Sequence, residues 1–400
     1  MTEPVAVTGV GLVTPGGSDR DSTWSSVQTA CATSAYDPVL RDLSVSLSCR
    51  VPMLEHSILT QHGSANLDPA ARFGLVAIAQ ALEQAHLDPK AWDGSRVAVV
   101  TGASSGGMLS QEKAAIRLIS KGPNSVSPYF LPAYLINMIA ANIALRFGVT
   151  GPSQSVSTAC ASGASAIGMA RTLLVTGQCD IALVCASEAP ITKLVVTGFT
   201  QVGVLSRRAS RPFDATRDGF VISEGAGALV LERDGHAAAR RVKPLAHIIG
   251  YGASTDAHHL VQPHPTGLGI ERAIWAALSD AGVTPDDVDH VNAHGTSTKV
   301  NDRIEAAVLQ RVFPHRPPVT SAKGALGHTL GAAGAIEAAL TVLAMVEGKV
   351  PPTAGLNNVD AGIDIDIVTG VVARQHSSSI AISNSFGFGG HNAVVVFAHS

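Results

Sequence analysis

Cys160 stands in the stretch TACASG, after a β-forming run and at the head of a segment made almost wholly of small residues. A helix starting there turns unpaired backbone N–H groups and the positive end of its dipole toward the sulfur, which favours a thiolate. Its Gly, Ser and Ala neighbours leave room for a carbonyl to approach. The expected chemistry is that of a nucleophile forming a covalent intermediate. Cys179 and Cys185, on apolar strands without that setting, read as small buried hydrophobes.

Two histidines fit the same site. His294, in NAHGTST, follows an apolar strand and precedes Thr296, Ser297 and Thr298; His328, in SAKGALGHTLGAAGA, opens another small-residue helix five residues after Lys323. A helix N-terminus and a nearby lysine both disfavour imidazolium, so these read as neutral N–H donors and not as strong bases. They lack the i, i+4 spacing of a zinc helix, and no metal is expected. His258 and His259 are adjacent, point in different directions and read as loop residues. Near the C-terminus, SNSFGFGGHN (Ser383–Asn392) has glycines that permit close backbone approach, and its N–H groups can complete an oxyanion hole with that of Cys160.

One glycine-rich turn suggests other chemistry. VVTGASSGGM (Val99–Met108) resembles the opening of a dinucleotide fold, but Met108 takes the place of the last glycine of T-G-x-x-x-G-x-G. No tyrosine has a lysine four residues on, and no acidic ribose partner follows at the expected distance. A lone glycine-rich turn is a weak signal, and these departures argue against dinucleotide binding.

The elements that position these groups come in two matching series. VAVTGVG from Val5 is answered by AHIIGYGAS from Ala246, and RVAVVTGASSGG from Arg96 by DHVNAHGTST from Asp289. The Cys160 strand, turn and helix are answered by those of His328, and CDIALVCASEA from Cys179 by SIAISNSFGFGG from Ser379. Helices apolar on every side, such as Gly163–Leu174, belong between layers. Ala71–Ala85 instead sets Leu75, Ile78, Ala79 and Leu82 on one stripe, with Gln80 and Gln84 expected on the far side. The pattern predicts two similar α/β halves packed around two central helices. The boundary is expected near Asp234–Lys243, giving halves 1–238 and 239–400.

Composition sets the class. Of 400 residues, 46% are hydrophobic and only 15% charged, which fits a large core and surface hidden in an oligomer. A formal net charge of -3 leaves no footprint for nucleic acid or an anionic membrane. Five cysteines without C-x-x-C spacing fit a reducing compartment, and the opening MTEPVAVTGVG lacks a basic signal-peptide region. The apolar segment Gly331–Val346 carries Glu337 and two glycines, so a buried core helix is expected rather than a membrane span. A cytoplasmic protein is expected.

Together, TACASG, NAHGTST, SAKGALGHTLGAAGA and SFGFGGHN, with SRPFDATRDGFVISEGAGALVLE at Ser210–Glu232, resemble the β-ketoacyl-acyl-carrier-protein synthases, over Val5–Phe397. The likeness is to the elongating Cys-His-His type of fatty-acid and polyketide synthesis. It implies a thiolase-like fold layered αβαβα and no cofactor beyond the phosphopantetheine of the carrier protein. It also implies decarboxylative condensation of an acyl-enzyme with malonyl-acyl carrier protein in fatty-acid synthesis, or a polyketide ketosynthase role. The implied partners are acyl carrier protein and a second subunit, as a homodimer or as a heterodimer with a chain-length-factor paralogue.

Residue by residue, the resemblance makes Cys160, His294, His328 and Lys323 the catalytic set, with Lys323 tuning His328 and Glu305 and Glu337 as counter-charges. Cys160 and Phe388 would supply the oxyanion donors, Phe388 also acting as a gate. Thr296 and Thr298 would meet the phosphopantetheine arm, Ser105 would line the acyl pocket, and Phe130 would reach toward a partner's pocket. Arg72, Arg117, Lys121, Arg207 and Arg208 are candidates for docking the carrier. Lys299, where fatty-acid relatives usually have Pro, looks more like the polyketide branch. A non-catalytic scaffold disagrees with the intact Cys-His-His set, and a biosynthetic thiolase with the lack of a second Cys in SFGFGGHN.

Overall fold

The computed structural model describes residues 4–60 and 64–400. Ten strands matter for the site: β1 (Val5–Val13), β2 (Val97–Gly102), β3 (Ser153–Val156), β4 (Ile181–Glu188) and β5 (Gly225–Arg233), then β6 (Ala246–Thr255), β7 (His290–Asn292), β8 (Val319–Thr320), β9 (Ile380–Gly387) and β10 (His391–His399). The first five are ordered β3-β2-β4-β5-β1 and the second five β8-β7-β9-β10-β6. In each set the last three strands of that order pair antiparallel and the first three parallel. The two sets therefore repeat one topology, and each sequence correspondence noted above pairs equivalent strands. They join where Val5–Val7 of β1 pair with Ile248–Ala246 of β6.

Five helices matter for the site: α1 (Pro69–Gln84), α2 (Ser162–Val175), α3 (Leu268–Ala281), α4 (Lys299–Val312) and α5 (Ala333–Glu347). The central pair, α2 and α5, touch each other and strands of both halves, whereas α1 covers the outer face of β1, β5 and β4, and α3 that of β6 and β10. This is the layered αβαβα arrangement expected. Two glycines set the central contact. A Cβ on Gly163 would lie 2.4 Å from the Ala335 nitrogen, and one on Gly334 would lie 2.5 Å from that of Ala164. Every residue of α5 from Ala333 to Met345 is buried, so this apolar helix is core.

Gln80 and Gln84 do not face outward. Beyond Val7, β1 has no neighbour on its β6 side, so the N–H groups of Val10 and Leu12 need other acceptors. The side-chain oxygens of Gln84 and Gln80 take them, at 2.8 and 3.0 Å. Polar residues here finish a sheet edge that the helical period alone assigns to solvent.

Candidate active site

Equivalent strand-to-helix edges of the two halves bring the chemistry together. Cys160, His294, His328, Thr296, Thr298 and Phe388 all line one cleft of about 440 Å³. Ser105 and Phe130 lie outside its lining. The Ser105 turn packs on the short helix that carries Phe130, through the Gly107 N–H on the Tyr134 carbonyl at 3.0 Å. The Phe130 ring stacks on Tyr134, centroids 5.4 Å apart.

Cys160 follows Ala159, whose φ of 50° turns the chain sharply before α2. The Phe388 backbone N–H lies near enough to the Cys160 sulfur to favour its charged form slightly. That approach requires Gly387: a Cβ there would lie 2.6 Å from the Thr158 carbonyl oxygen and 3.1 Å from the Cys160 nitrogen. The helix start leads one to expect a thiolate, but burial pushes the Cys160 thiol up to about 12, against the opposing pull of the Lys323 charge. Burial thus acts against the thiolate that the start of the helix favours.

Both histidines are buried and held as neutral rings. Burial lowers the pKa of each well below the ordinary value, and the Lys323 charge lowers it further. Their hydrogen bonds fix the tautomers. The Leu330 N–H points at Nδ1 of His328 at 3.3 Å, and the Lys323 ammonium lies 3.4 Å from Nδ1 of His294. Each Nδ1 is thus an acceptor, which leaves the proton on Nε2. The rings stand edge to face, centroids 5.5 Å apart.

Lys323 and its counter-charges divide differently from the sequence expectation. Its ammonium sits against His294, donating to that residue's carbonyl at 2.6 Å, and pairs closely with Glu337; only its charge reaches His328. Glu305 makes no direct salt bridge with Lys323 among the described residues, though the Lys323 charge acts on its carboxylate. It accepts the N–H groups of His294 and Gly295, each at 2.8 Å, from the first turns of α4, and so braces the turn that carries His294. The Thr296 and Thr298 hydroxyls are 2.9 Å apart. The fully buried Arg217 bonds the carbonyls of Thr298 and Lys299 and pairs with Asp302 and Asp360, anchoring this loop.

Sequence reasoning missed Phe220, Phe386 and Leu330, which belong to the apolar lining. Phe220 stands edge-on to His328 and Phe386 edge-on to His294, at 4.8 and 5.6 Å. Phe386 lies within the quoted SFGFGG, so its neighbour Phe388 was the available signal. Of the proposed docking residues, Arg117, Lys121, Arg207 and Arg208 are exposed, and Arg208 pairs with Asp218.

The arrangement sets a cysteine, two neutral imidazoles and the Phe388 segment around one cleft. It suits acyl transfer followed by stabilisation of an enolate. Family models described as β-ketoacyl synthase, N-terminal domain and C-terminal domain match residues 2–237 and 245–357. The chain is 38% identical over 413 residues to 3-oxoacyl-acyl-carrier-protein synthase 2 of Rhizobium meliloti strain 1021, covering 98% of each. A β-ketoacyl synthase from Burkholderia phymatum STM815 matches over all of both chains, with TM-score 0.93 and 30% identity. So does the structure of a type II polyketide synthase acyl-carrier protein in complex with its ketosynthase bound to the hexaketide, with TM-score 0.91 and 29% identity. By sequence along its whole length, and by fold, the chain belongs to the β-ketoacyl synthase family.

Proposed function

We propose that the protein condenses an acyl group with malonyl-acyl carrier protein to give 3-oxoacyl-acyl carrier protein in fatty-acid synthesis, without a cofactor of its own. The Cys160 sulfur attacks an acyl-carrier thioester while the N–H groups of Cys160 and Phe388 hold the oxyanion. The C–S bond to the carrier breaks, and the carrier thiol leaves with the cysteine's proton. Malonyl carrier then binds along Thr296 and Thr298. Its C–carboxylate bond breaks, carbon dioxide leaves, and the electron pair moves onto the thioester oxygen, held by Nε2–H of His294 and His328. The enolate carbon attacks the acyl carbonyl and expels Cys160, which takes up one proton. Burial and the Lys323 charge keep the histidines neutral, while Glu337 holds Lys323 and Glu305 braces the His294 turn. Ser105 and Phe130 act in chain selection beyond the cleft described above.

The observation that carries this reading is the convergence of Cys160 and two neutral histidines with Nε2–H tautomers on one cleft. The polyketide reading rests on the likeness to the hexaketide-bound ketosynthase, with Lys299 at the cleft. The 38% identity to the 3-oxoacyl synthase favours fatty-acid synthesis. We also place a subunit interface on the helix Met108–Lys121. None of its residues is buried, and it leaves Ile116 and Ile119 exposed. Incubation with acyl and malonyl carrier proteins should release one carbon dioxide per 3-oxoacyl product. Carbon dioxide release without a longer product, with every primer, would contradict the reading.

A further inference from the structure

Glu188, the last residue of β4, is fully buried and pairs with no cation among the described residues. Four donors converge on its carboxylate instead: the Ser104 N–H and hydroxyl, both at 2.7 Å, and the N–H groups of Ser105 and Gly331, both at 3.2 Å. We propose that Glu188 is a positioning residue that clamps the Ser104–Ser105 turn against the turn after His328, and so sets which acyl chains Cys160 accepts. The inference rests on the reading under Proposed function.

Three segments around the nucleophile meet at this carboxylate. Ser104 and Ser105 form the turn that follows β2, in the half carrying Cys160. Gly331, from the other half, follows Leu330, whose side chain lines the cleft and whose N–H points at His328. The approach is tight enough that a Cβ on Gly331 would lie 2.4 Å from the Ser104 nitrogen and 2.5 Å from the Glu188 carboxylate. The Glu188 charge also bears directly on the Cys160 thiol. Three residues on, Ile191 packs in one apolar cluster with Cys160 and Leu330.

Such a carboxylate is costly to the fold. Without a counter-ion its desolvation is offset only by neutral donors, and burial pushes it up to about 7. An apolar residue would close the same space more cheaply, but it could not hold two turns from different halves in a fixed relation. A chain leaving Cys160 past Ser105 meets a wall whose position is set by this clamp.

Glu188→Gln keeps the shape and replaces one acceptor oxygen with an amide NH2 that cannot accept, losing either the Ser105 bond to Oε1 or the Ser104 and Gly331 bonds to Oε2. The assay is intact-mass acylation of Cys160 by carrier proteins bearing short to long saturated chains, alongside carbon dioxide release from malonyl carrier protein. The expected result is about a tenfold loss with the wild-type enzyme's preferred lengths and an altered ranking of lengths, with carbon dioxide release held within about twofold. Ser104→Ala should shift the ranking the same way by less. An unchanged ranking in both variants, or an equal loss in both half-reactions at every length, overturns the proposal. Should Glu188→Gln fail to fold, Ser104→Ala decides alone. A wild-type protein that is not acylated at all would instead refute the proposed function.

Discussion

The ammonium of Lys323 is held between the backbone carbonyl of His294, at 2.6 Å, and the carboxylate of Glu337. It also faces the ring Nδ1 of His294, so one buried cation fixes that residue's tautomer, its place and its neutrality.

Lys323→Met should lower decarboxylation of malonyl carrier protein by about a hundredfold, the scale of losing one oriented donor. The sign of the pH effect follows from the charge. The lysine disfavours imidazolium on both histidines, so its removal raises their pKa values, and the acid limb of the pH–rate profile should move to higher pH. An unmoved acid limb would leave Lys323 a purely structural role.

His290, at the start of β7, is buried with neither ring nitrogen bonded among the described residues, and burial lowers its pKa from 6.5 to about 3. The folded state keeps the ring neutral while the unfolded chain protonates below pH 6.5, so acid destabilises the protein through this residue. His290→Phe should stabilise by about 1 kcal/mol at neutral pH. Below pH 6.5 the advantage should grow by about 1.4 kcal/mol per pH unit toward pH 3. Urea denaturation of both proteins across that range checks it, and a gap independent of pH would refute it.

Gly163→Val forces a side chain into the α2–α5 contact, where the opposing group is backbone and cannot swing away. The expected loss is about 3 kcal/mol or more by denaturant unfolding. A loss under about 1 kcal/mol would mean the central helices part without strain.

Ser105→Ile should curtail acylation by the longer chains and spare the shorter ones, read by the same mass assay across chain lengths. Identical loading of every length by both proteins would remove Ser105 from the acyl channel.

The site was legible in the sequence where chemistry and positioning share one short segment. Cys160 and His328 each sit at a strand-to-helix edge whose small residues reveal both the turn and the buried helix behind it. Repetition of those segments made the two-halved fold legible too. What escaped depends on contacts between segments far apart in the chain. Nothing near Lys323 shows that its side chain reaches His294, 29 residues back, and not the neighbouring His328. Gln80 and Gln84 follow the polar side of a helical wheel, yet an unpaired edge of β1 draws them inward. Glu188 ends an apolar strand with no motif about it, and only the folded chain brings Ser104 and Gly331 to its carboxylate. The Cys160 thiol is governed by burial that its own neighbours do not disclose.

The central claim is that Cys160 carries the acyl group. Intact-mass measurement after incubation with acyl carrier proteins tests it directly, with Cys160→Ala alongside. The wild type should gain the mass of one acyl chain per subunit and the variant none. An equal acyl adduct on Cys160→Ala would contradict the account.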